Sequence, residues 1–220
     1  MKPLMIRLLT FFGILVCFFA SAQTCEHWGD DCNGAIFNGC MLRDIKLCVV
    51  DTPFESFTTT KKLMATLPVQ EGLGRGEHRE RVAAEQRNVI ITSAYLFMVS
   101  REEDNDYHLI LGDKRNYRKG NLFSAEVAGL PLDETHPFYH LLRELREKFE
   151  EEIGGPSSCG KPPKPYGKNL TLHPIKITIR GSLLFDSQHQ HGGSGYTDGA
   201  VSLKTPTGWE IHPVTGFVLL

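Results

Sequence analysis

Carboxylate and imidazole side chains recur as closely spaced pairs in three separate parts of the sequence. The pairs are Asp106 with His108, Asp186 with His189, and Glu210 with His212. Carboxylate oxygens and imidazole nitrogens are ligands that proteins use for divalent cations. If the fold brings the three segments together, the candidate ligands of a divalent cation are Asp106, His108, Asp186, His189 and His212.

Five stretches have the alternation or the β-branched and aromatic content that is typical of strands. These strands are predicted at residues 89–99, 107–111, 122–128, 175–185 and 209–219. Apolar residues at spacings of three and four predict an amphipathic helix over residues 138–153, with Thr135 or His136 as its N-cap. Gly181, in the middle of the fourth predicted strand, indicates a bend or a bulge.

The order of three strands, one helix and two strands is that of the oligonucleotide/oligosaccharide-binding fold, or OB-fold. We therefore predict a mainly β, five-stranded Greek-key barrel over residues 82–220; a different α+β sheet is the alternative. In an OB barrel the second, third and fifth strands are neighbours. Because alternate side chains leave opposite faces of a strand, one outward face would carry Asp106, His108, Glu126, Glu210 and His212.

The N-terminal residues 1–22 have the features of an export signal. Residues 1–7 form a short basic region with Lys2 and Arg7, residues 8–19 are apolar, and Ala20-Ser21-Ala22 matches a cleavage site. The apolar stretch is too short for the roughly 20 residues that span a bilayer, so we predict no transmembrane span in the mature chain. The mature protein is expected to be secreted or periplasmic; an uncleaved anchor is the alternative.

Residues 23–81 form a predicted N-terminal extension and linker that contains most of the cysteines. Five cysteines follow the signal: Cys25, Cys32, Cys40, Cys48 and Cys159. Their spacing lacks the C-x-x-C pairs of zinc sites, and an oxidising compartment favours disulfides. Because the number is odd, at least one thiol stays free or pairs between chains, and the sequence does not determine the connectivity.

Composition excludes several classes of protein. Hydrophobic residues make up 41% of the chain and charged residues 23%, which is typical of a globular domain and excludes a disordered or collagen-like chain. The 24 basic and 26 acidic residues leave no general basic surface for nucleic acid. The sequence contains no G-x-S-x-G, Walker or H-E-x-x-H motif, so the enzyme classes that these motifs mark are excluded.

Three motifs resemble those of a group of uncharacterised exported bacterial proteins with an OB-like core. They are Asp104-x-Asp106-x-His108-Leu109, Phe185-Asp186-x-x-His189 and Glu210-x-His212-Pro213-Val214. The resemblance covers roughly residues 82–220 and leaves the cysteine-bearing extension unmatched. That group usually has a short His-Gly-Gln loop before the last motif, whereas here a longer stretch runs to Thr207. The resemblance implies an OB-like fold and brings no established activity.

One functional hypothesis is an exported ligand-binding module without catalysis. Its ligand would be an oligosaccharide, a nucleic-acid fragment or an envelope protein, bound by the second and third strands and their loops. The loop after the second strand offers candidate ligand-binding residues: Lys114, Arg115, Tyr117 and Arg118. A solvated hairpin loop is the alternative interpretation of that segment. A structural envelope protein, in which the polar cluster only ties strand ends together, is a further hypothesis.

The enzyme hypothesis is a phosphodiesterase or nuclease that depends on a divalent metal. In that reaction a cation stabilises charge on the phosphate oxygens, a carboxylate takes a proton from water, and an arginine binds the phosphate. Asp106, Asp186 and His212 would bind the cation; the other assigned roles are Glu210 or Glu126 as base and Arg180 or Arg115 on the phosphate. Each of these residues also has a structural interpretation, as a solvated side chain or a cross-strand pair.

Overall fold

The computed structural model describes residues 36–37, 42–69, 80–154, 173–186, 197–198 and 201–220. This part of the chain contains eight strands and three α-helices. The elements are α1 (Arg43–Lys46), β1 (Phe54–Phe57), α2 (Thr60–Met64), β2 (Asn88–Arg101), β3 (Tyr107–Gly112), β4 (Leu122–Val127), α3 (Tyr139–Glu152), β5 (Ile175–Phe185), β6 (Thr197–Asp198), β7 (Val201–Ser202) and β8 (Trp209–Leu219). None of the helices in this part of the chain is long and apolar enough to cross a membrane.

Five of the strands close into a barrel. They are hydrogen-bonded in the order β2-β3-β4-β8-β5, and β5 also pairs with β2, which completes the ring. The pairing of β4 with β8 is parallel, and the other four pairings in the ring are antiparallel. The predicted mainly β, five-stranded barrel is therefore confirmed, and its order is compatible with an OB-like barrel.

The barrel encloses one apolar core. On β3, Tyr107, Leu109 and Leu111 point inward and are buried, as the alternation of that strand requires. Leu145 and Phe149 of α3 join the same core, so the helix packs against the barrel through its apolar stripe. Full burial of each large apolar side chain stabilises the fold by about 1.5–3 kcal/mol, which fixes the face that each strand turns outward.

Helix α3 begins at Tyr139, which is later than the predicted N-cap residues Thr135 and His136 suggested. Its N-cap is Phe138, and no side chain makes a capping hydrogen bond there. Thr135 and His136 therefore do not cap the helix, and that prediction was wrong. Thr135 instead donates from its backbone N–H and its hydroxyl to Asp133 Oδ1, at 2.8 and 2.7 Å, so the threonine stabilises the preceding turn.

Gly181 lies where β5 bends against β8. The register between the two strands shifts on both sides of this residue, as expected for a bulge in a closed barrel. A Cβ atom at this position would collide with Pro213 O and would lie 2.6 Å from Ile211 Cγ2. The absence of a side chain therefore permits the close approach of β5 and β8.

We expect Gly181→Ala to destabilise the protein by about 1–3 kcal/mol, because the backbone of β8 must move to admit the methyl group. Thermal denaturation followed by circular dichroism measures this effect. Gly120→Ala is the matched control, since the nearest atom to its Cβ would be a side-chain oxygen, Asp113 Oδ1, at 3.2 Å. Equal melting temperatures for Gly181→Ala and the unchanged chain would contradict the prediction.

Part of the N-terminal extension packs onto the barrel domain. Strand β1 pairs in parallel with β2, with Phe54 opposite Asn88. Leu63 of α2 is fully buried in the barrel core. Residues 1–22 and Cys25, Cys32, Cys40 and Cys159 lie outside the described residues, so the export signal and the disulfides stay predictions.

Candidate metal centre

The outward face of β3, β4 and β8 brings the polar segments together. His108 is the cross-strand partner of Glu126, and Ser124 is the partner of Glu210. Their neighbours along the strands, such as Leu109, turn into the core, so these polar side chains leave the opposite face. Strand pairing therefore makes neighbours of residues that are far apart in the sequence.

Three of these side chains converge closely enough to hold one metal ion. Asp106, Glu126 and His212 each offer a ligand atom, and these atoms all lie within 4.8 Å of one another. His212 Nδ1 is 2.8 Å from Glu126 Oε2, and His212 Nε2 is 3.5 Å from Asp106 Oδ2. The group lies in the interior, because Asp106 and His212 are 0% exposed and Glu126 is 6% exposed.

Asp106 and His212 each direct a polar atom without a hydrogen bond toward the group. Asp106 Oδ2 and His212 Nε2 are buried and form no hydrogen bond with any described residue, whereas Glu126 Oε2 has His212 Nδ1 as a neighbour at 2.8 Å. Leaving a buried polar atom without a partner typically costs about 1–3 kcal/mol, and the cost is larger for charged groups. A cation that accepts the lone pairs of all three atoms would remove this cost.

The backbone holds Asp106 in the orientation that a cation site needs. The N–H of Gly129 donates to Asp106 Oδ1 at 2.6 Å. The N–H of Asp106 donates to Asp104 Oδ1 at 3.2 Å, which fixes the chain just before β3. With Oδ1 occupied in this way, Oδ2 of Asp106 is the oxygen that faces Glu126 and His212.

Two further carboxyl groups lie beside the three residues. Glu210 Oε1 is 3.1 Å from His212 Nδ1, and the side chain is buried. Burial, together with the negative charges of Glu126 and Asp186, raises the pKa of Glu210 well above its usual value. Asp186 follows the end of β5 and is buried, and its N–H donates to Gly208 O at 2.9 Å. Its predicted partner His189 lies outside the described residues.

A lysine that no motif in the sequence pointed to also reaches the cluster. Lys46 Nζ in α1 lies 3.3 Å from Asp104 Oδ2, 3.7 Å from Asp106 Oδ2 and 3.6 Å from Glu126 Oε2. The residue is only 7% exposed. Burial alone would lower the pKa of Lys46, but the surrounding carboxylates, Glu126 foremost, raise it well above its usual value. The lysine therefore keeps its positive charge within the cluster.

The charges of the three converging residues respond to this environment in different ways. Burial and the neighbouring Asp104 raise the pKa of Asp106 well above its usual value. Burial opposes ionisation of Glu126, but Lys46 and His212 outweigh it and lower the Glu126 pKa well below the usual value. Burial lowers the pKa of His212, which favours the neutral imidazole that binds metals.

His108 lies next to the three residues, and its ring nitrogens face other groups. Its Nε2 is 2.7 Å from Ser124 Oγ, and its Nδ1 is 3.6 Å from Glu102 Oε1. Burial alone would lower the pKa of His108, but the hydrogen bond to Glu102 and the charge of Glu126 raise it. The structure thus places His108 in a polar network beside the converging atoms, separate from the three-residue group.

The basic residues assigned to phosphate or to another ligand lie away from the cluster. Arg180 is exposed on β5, and its guanidinium lies 5.4 Å from the ring centre of Phe54. Lys114, Arg115 and Arg118 are exposed in the loop that joins the far ends of β3 and β4. Arg118 Nε donates to Tyr117 Oη at 3.0 Å.

The polar face differs in one respect from the surface that the strand pattern predicted. That pattern indicated an outward face open to ligands. Residues of α1 and its N-cap cover the face, because Leu42 and Ile45 pack against Leu184 of β5 in an apolar cluster of their own. The polar side chains are consequently enclosed between the barrel and α1.

The chain matches no protein-family model, and neither a curated protein nor a solved structure shows significant similarity to it. The resemblance to exported bacterial proteins therefore stays a prediction from three motifs. Function is accordingly inferred from the geometry of the described residues.

Proposed function

We propose that this chain is an exported, OB-like domain that binds a divalent cation through Asp106, Glu126 and His212. The observation that carries the proposal is the convergence of three buried ligand groups, of which Asp106 and His212 each have a polar atom without a hydrogen bond in the described part of the chain. Buried polar atoms in folded proteins nearly always have a partner, so Asp106 Oδ2 and His212 Nε2, which lie 3.5 Å apart beside Glu126, point to a shared ligand.

The donor set favours a transition metal over magnesium or calcium. Two carboxylates and one imidazole form a mixed oxygen and nitrogen set, which suits Zn²⁺ or Mn²⁺, whereas Mg²⁺ and Ca²⁺ prefer oxygen alone. His212 Nδ1 lies 2.8 Å from Glu126 Oε2 and 3.1 Å from Glu210 Oε1, and we assign the ring proton to this nitrogen. These contacts fix the ring and leave Nε2 to the cation, as carboxylates behind metal-binding histidines commonly do.

The closed ring of β2, β3, β4, β8 and β5, with α3 between its third and fourth strands in the sequence, supports the assignment to the OB-fold. The basic and apolar pattern of residues 1–22 supports export. In an oxidising compartment Cys48 would pair with another cysteine and fix the chain two residues after Lys46.

Among the alternative functions, the phosphodiesterase gains no support from the geometry. Catalysis on a phosphodiester needs the substrate to contact the metal ligands, and Asp106 and His212 are fully buried. Of the two arginines assigned to the phosphate, Arg115 is exposed in the loop between β3 and β4, and Arg180 is exposed on β5 beside Phe54. An oligosaccharide, nucleic-acid fragment or envelope protein would have to bind another surface, so we restrict the proposed ligand to the cation.

A cation titration of the mature chain tests the proposal. Protein stripped with a chelator is titrated with Zn²⁺, Mn²⁺, Mg²⁺ and Ca²⁺ in an isothermal calorimeter. We expect saturable binding of one Zn²⁺ or Mn²⁺ per chain, weaker binding of the other two ions, and a higher melting temperature with the bound cation. Absence of saturable binding by all four ions would contradict the proposal and favour a structural role for the cluster.

A further inference from the structure

We infer that Lys46 is a built-in competitor of the cation, so that the lysine ammonium and the metal ion occupy the cluster in turn. This inference rests on the proposed cation site and concerns how that site is controlled. It assigns a function to α1, a part of the N-terminal extension for which the sequence suggested none.

The contacts of Lys46 involve the same oxygens that would bind the metal. Its ammonium lies 3.7 Å from Asp106 Oδ2 and 3.6 Å from Glu126 Oε2. Asp106 Oδ2 has no hydrogen bond from the described residues, and Glu126 Oε2 has His212 Nδ1 at 2.8 Å as its other neighbour. They are therefore held at ion-pair distance from a positive charge without being fully satisfied by it.

A metal ion and the ammonium cannot both keep these positions. Metal–carboxylate distances are about 2.0–2.2 Å, so an ion bound to both oxygens would lie within about 6 Å of the present Lys46 Nζ position. Two cations at that distance in a buried site repel each other strongly, because little water screens them. In addition, the metal would neutralise the carboxylates that now hold the ammonium in the interior.

The anchoring of α1 allows the side chain to leave without unfolding the barrel. Arg81 donates to Ile45 O at 2.6 Å and to Cys48 O at 3.0 Å, and Val50 N donates to Ser182 Oγ at 3.1 Å. These bonds tie the chain on both sides of Lys46. The flexible four-carbon stem of the lysine can then swing toward solvent, with local loosening of the single turn of α1.

Lys46→Met tests the inference, because methionine keeps the length and apolar stem of lysine and removes the charge. Metal-free wild-type and variant chains are titrated with Zn²⁺ alone. We expect Lys46→Met to bind Zn²⁺ at least tenfold more tightly than the wild type, and Lys46→Arg to bind it no more tightly than the wild type. Lys62→Met is the matched control, because Lys62 is exposed on α2 and should leave the affinity unchanged.

Hydrogen exchange supplies a second readout that uses the unaltered chain. The amides of Lys46 and Leu47 donate to Leu42 O and Arg43 O, at 2.8 and 3.1 Å, so they report on the turn of α1. Saturation with Zn²⁺ is expected to speed their exchange in the wild type and to have no such effect in Lys46→Met. This readout keeps the inference testable even if the variant folds poorly.

The outcomes separate the inference from the proposed function. Zn²⁺ binding that is equal or weaker in Lys46→Met, with unchanged or slower exchange in α1 of the wild type, would overturn the inference and leave the cation site standing. Failure of both chains to bind Zn²⁺ would overturn the site and the inference together. Tight binding by Lys46→Met alone would overturn the inference that lysine and cation occupy the cluster in turn, because the wild type would then bind no ion.

Discussion

Replacement of His212 by Gln is expected to weaken cation binding about 100-fold or more. The change removes the nitrogen donor of the site and replaces it by an amide, which is a poor ligand for Zn²⁺. Loss of groups that only orient metal ligands already costs about 10–100-fold in affinity, so the loss of a direct ligand should reach at least the upper end of that range. Competition with a fluorescent zinc indicator measures the affinity of each chain.

Asp106→Asn should give a similar loss, because the amide removes the charge of the carboxylate while the N–H of Gly129 still has an oxygen to contact. His136→Gln is the matched control, since His136 precedes α3 and lies outside the three-residue group. His189→Gln should also keep the affinity. If His212→Gln bound Zn²⁺ as the wild type does, the assignment of the ligands would be wrong.

Arg81→Met is expected to destabilise the protein strongly, because this side chain ties α1 to the barrel. The guanidinium of Arg81 lies within hydrogen-bond distance of four carbonyl oxygens, those of Ile45, Cys48, Leu183 and His212, and three of them share the two N–H groups of Nη2. Hydrogen bonds from a charged group contribute about 1.5–3 kcal/mol each and do not add fully, so we expect a loss of about 3 kcal/mol or more. For a domain of this size, that loss lowers the melting temperature by roughly 6–12 °C.

Arg87→Met provides the comparison for this prediction. Arg87 forms a bidentate pair with Glu55, with distances of 2.6 and 2.7 Å, on the surface of the domain. Exposed ion pairs contribute about 0–1 kcal/mol, so the loss should be much smaller than for Arg81. Denaturant unfolding of both variants measures the difference. Similar unfolding free energies for Arg81→Met and Arg87→Met would show that Arg81 does not tie α1 to the barrel.

The barrel and its polar face were predictable because both follow from alternation along strands. Tyr107, Leu109 and Leu111 are apolar and occupy alternate positions of β3, so they share the inward face. Asp106 and His108, which lie between or beside them in the sequence, therefore turn outward. The order of strands and helix then predicted which strands become neighbours. Asp106, Glu126 and His212 could therefore be brought together without coordinates.

The enclosure of that face could not be predicted in the same way. Residues 42–50 have no sustained period, so nothing in their pattern shows that Leu42 and Ile45 pack on β5 or that Lys46 enters the cluster. The position of Lys46 depends on tertiary contacts, such as those of Arg81 with the backbone of α1. The alternation of β5 places Arg180 on its outward face. It does not show how far the arginine lies from the acidic cluster, because that distance also depends on tertiary contacts.

Anomalous diffraction at the zinc edge, from crystals of the mature chain grown with Zn²⁺, tests the proposed cation site most directly. We predict one strong peak about 2.0–2.2 Å from Asp106 Oδ2, Glu126 Oε2 and His212 Nε2, with the Lys46 side chain withdrawn. A peak elsewhere, such as at His189, with the lysine still among the carboxylates, would contradict the proposal.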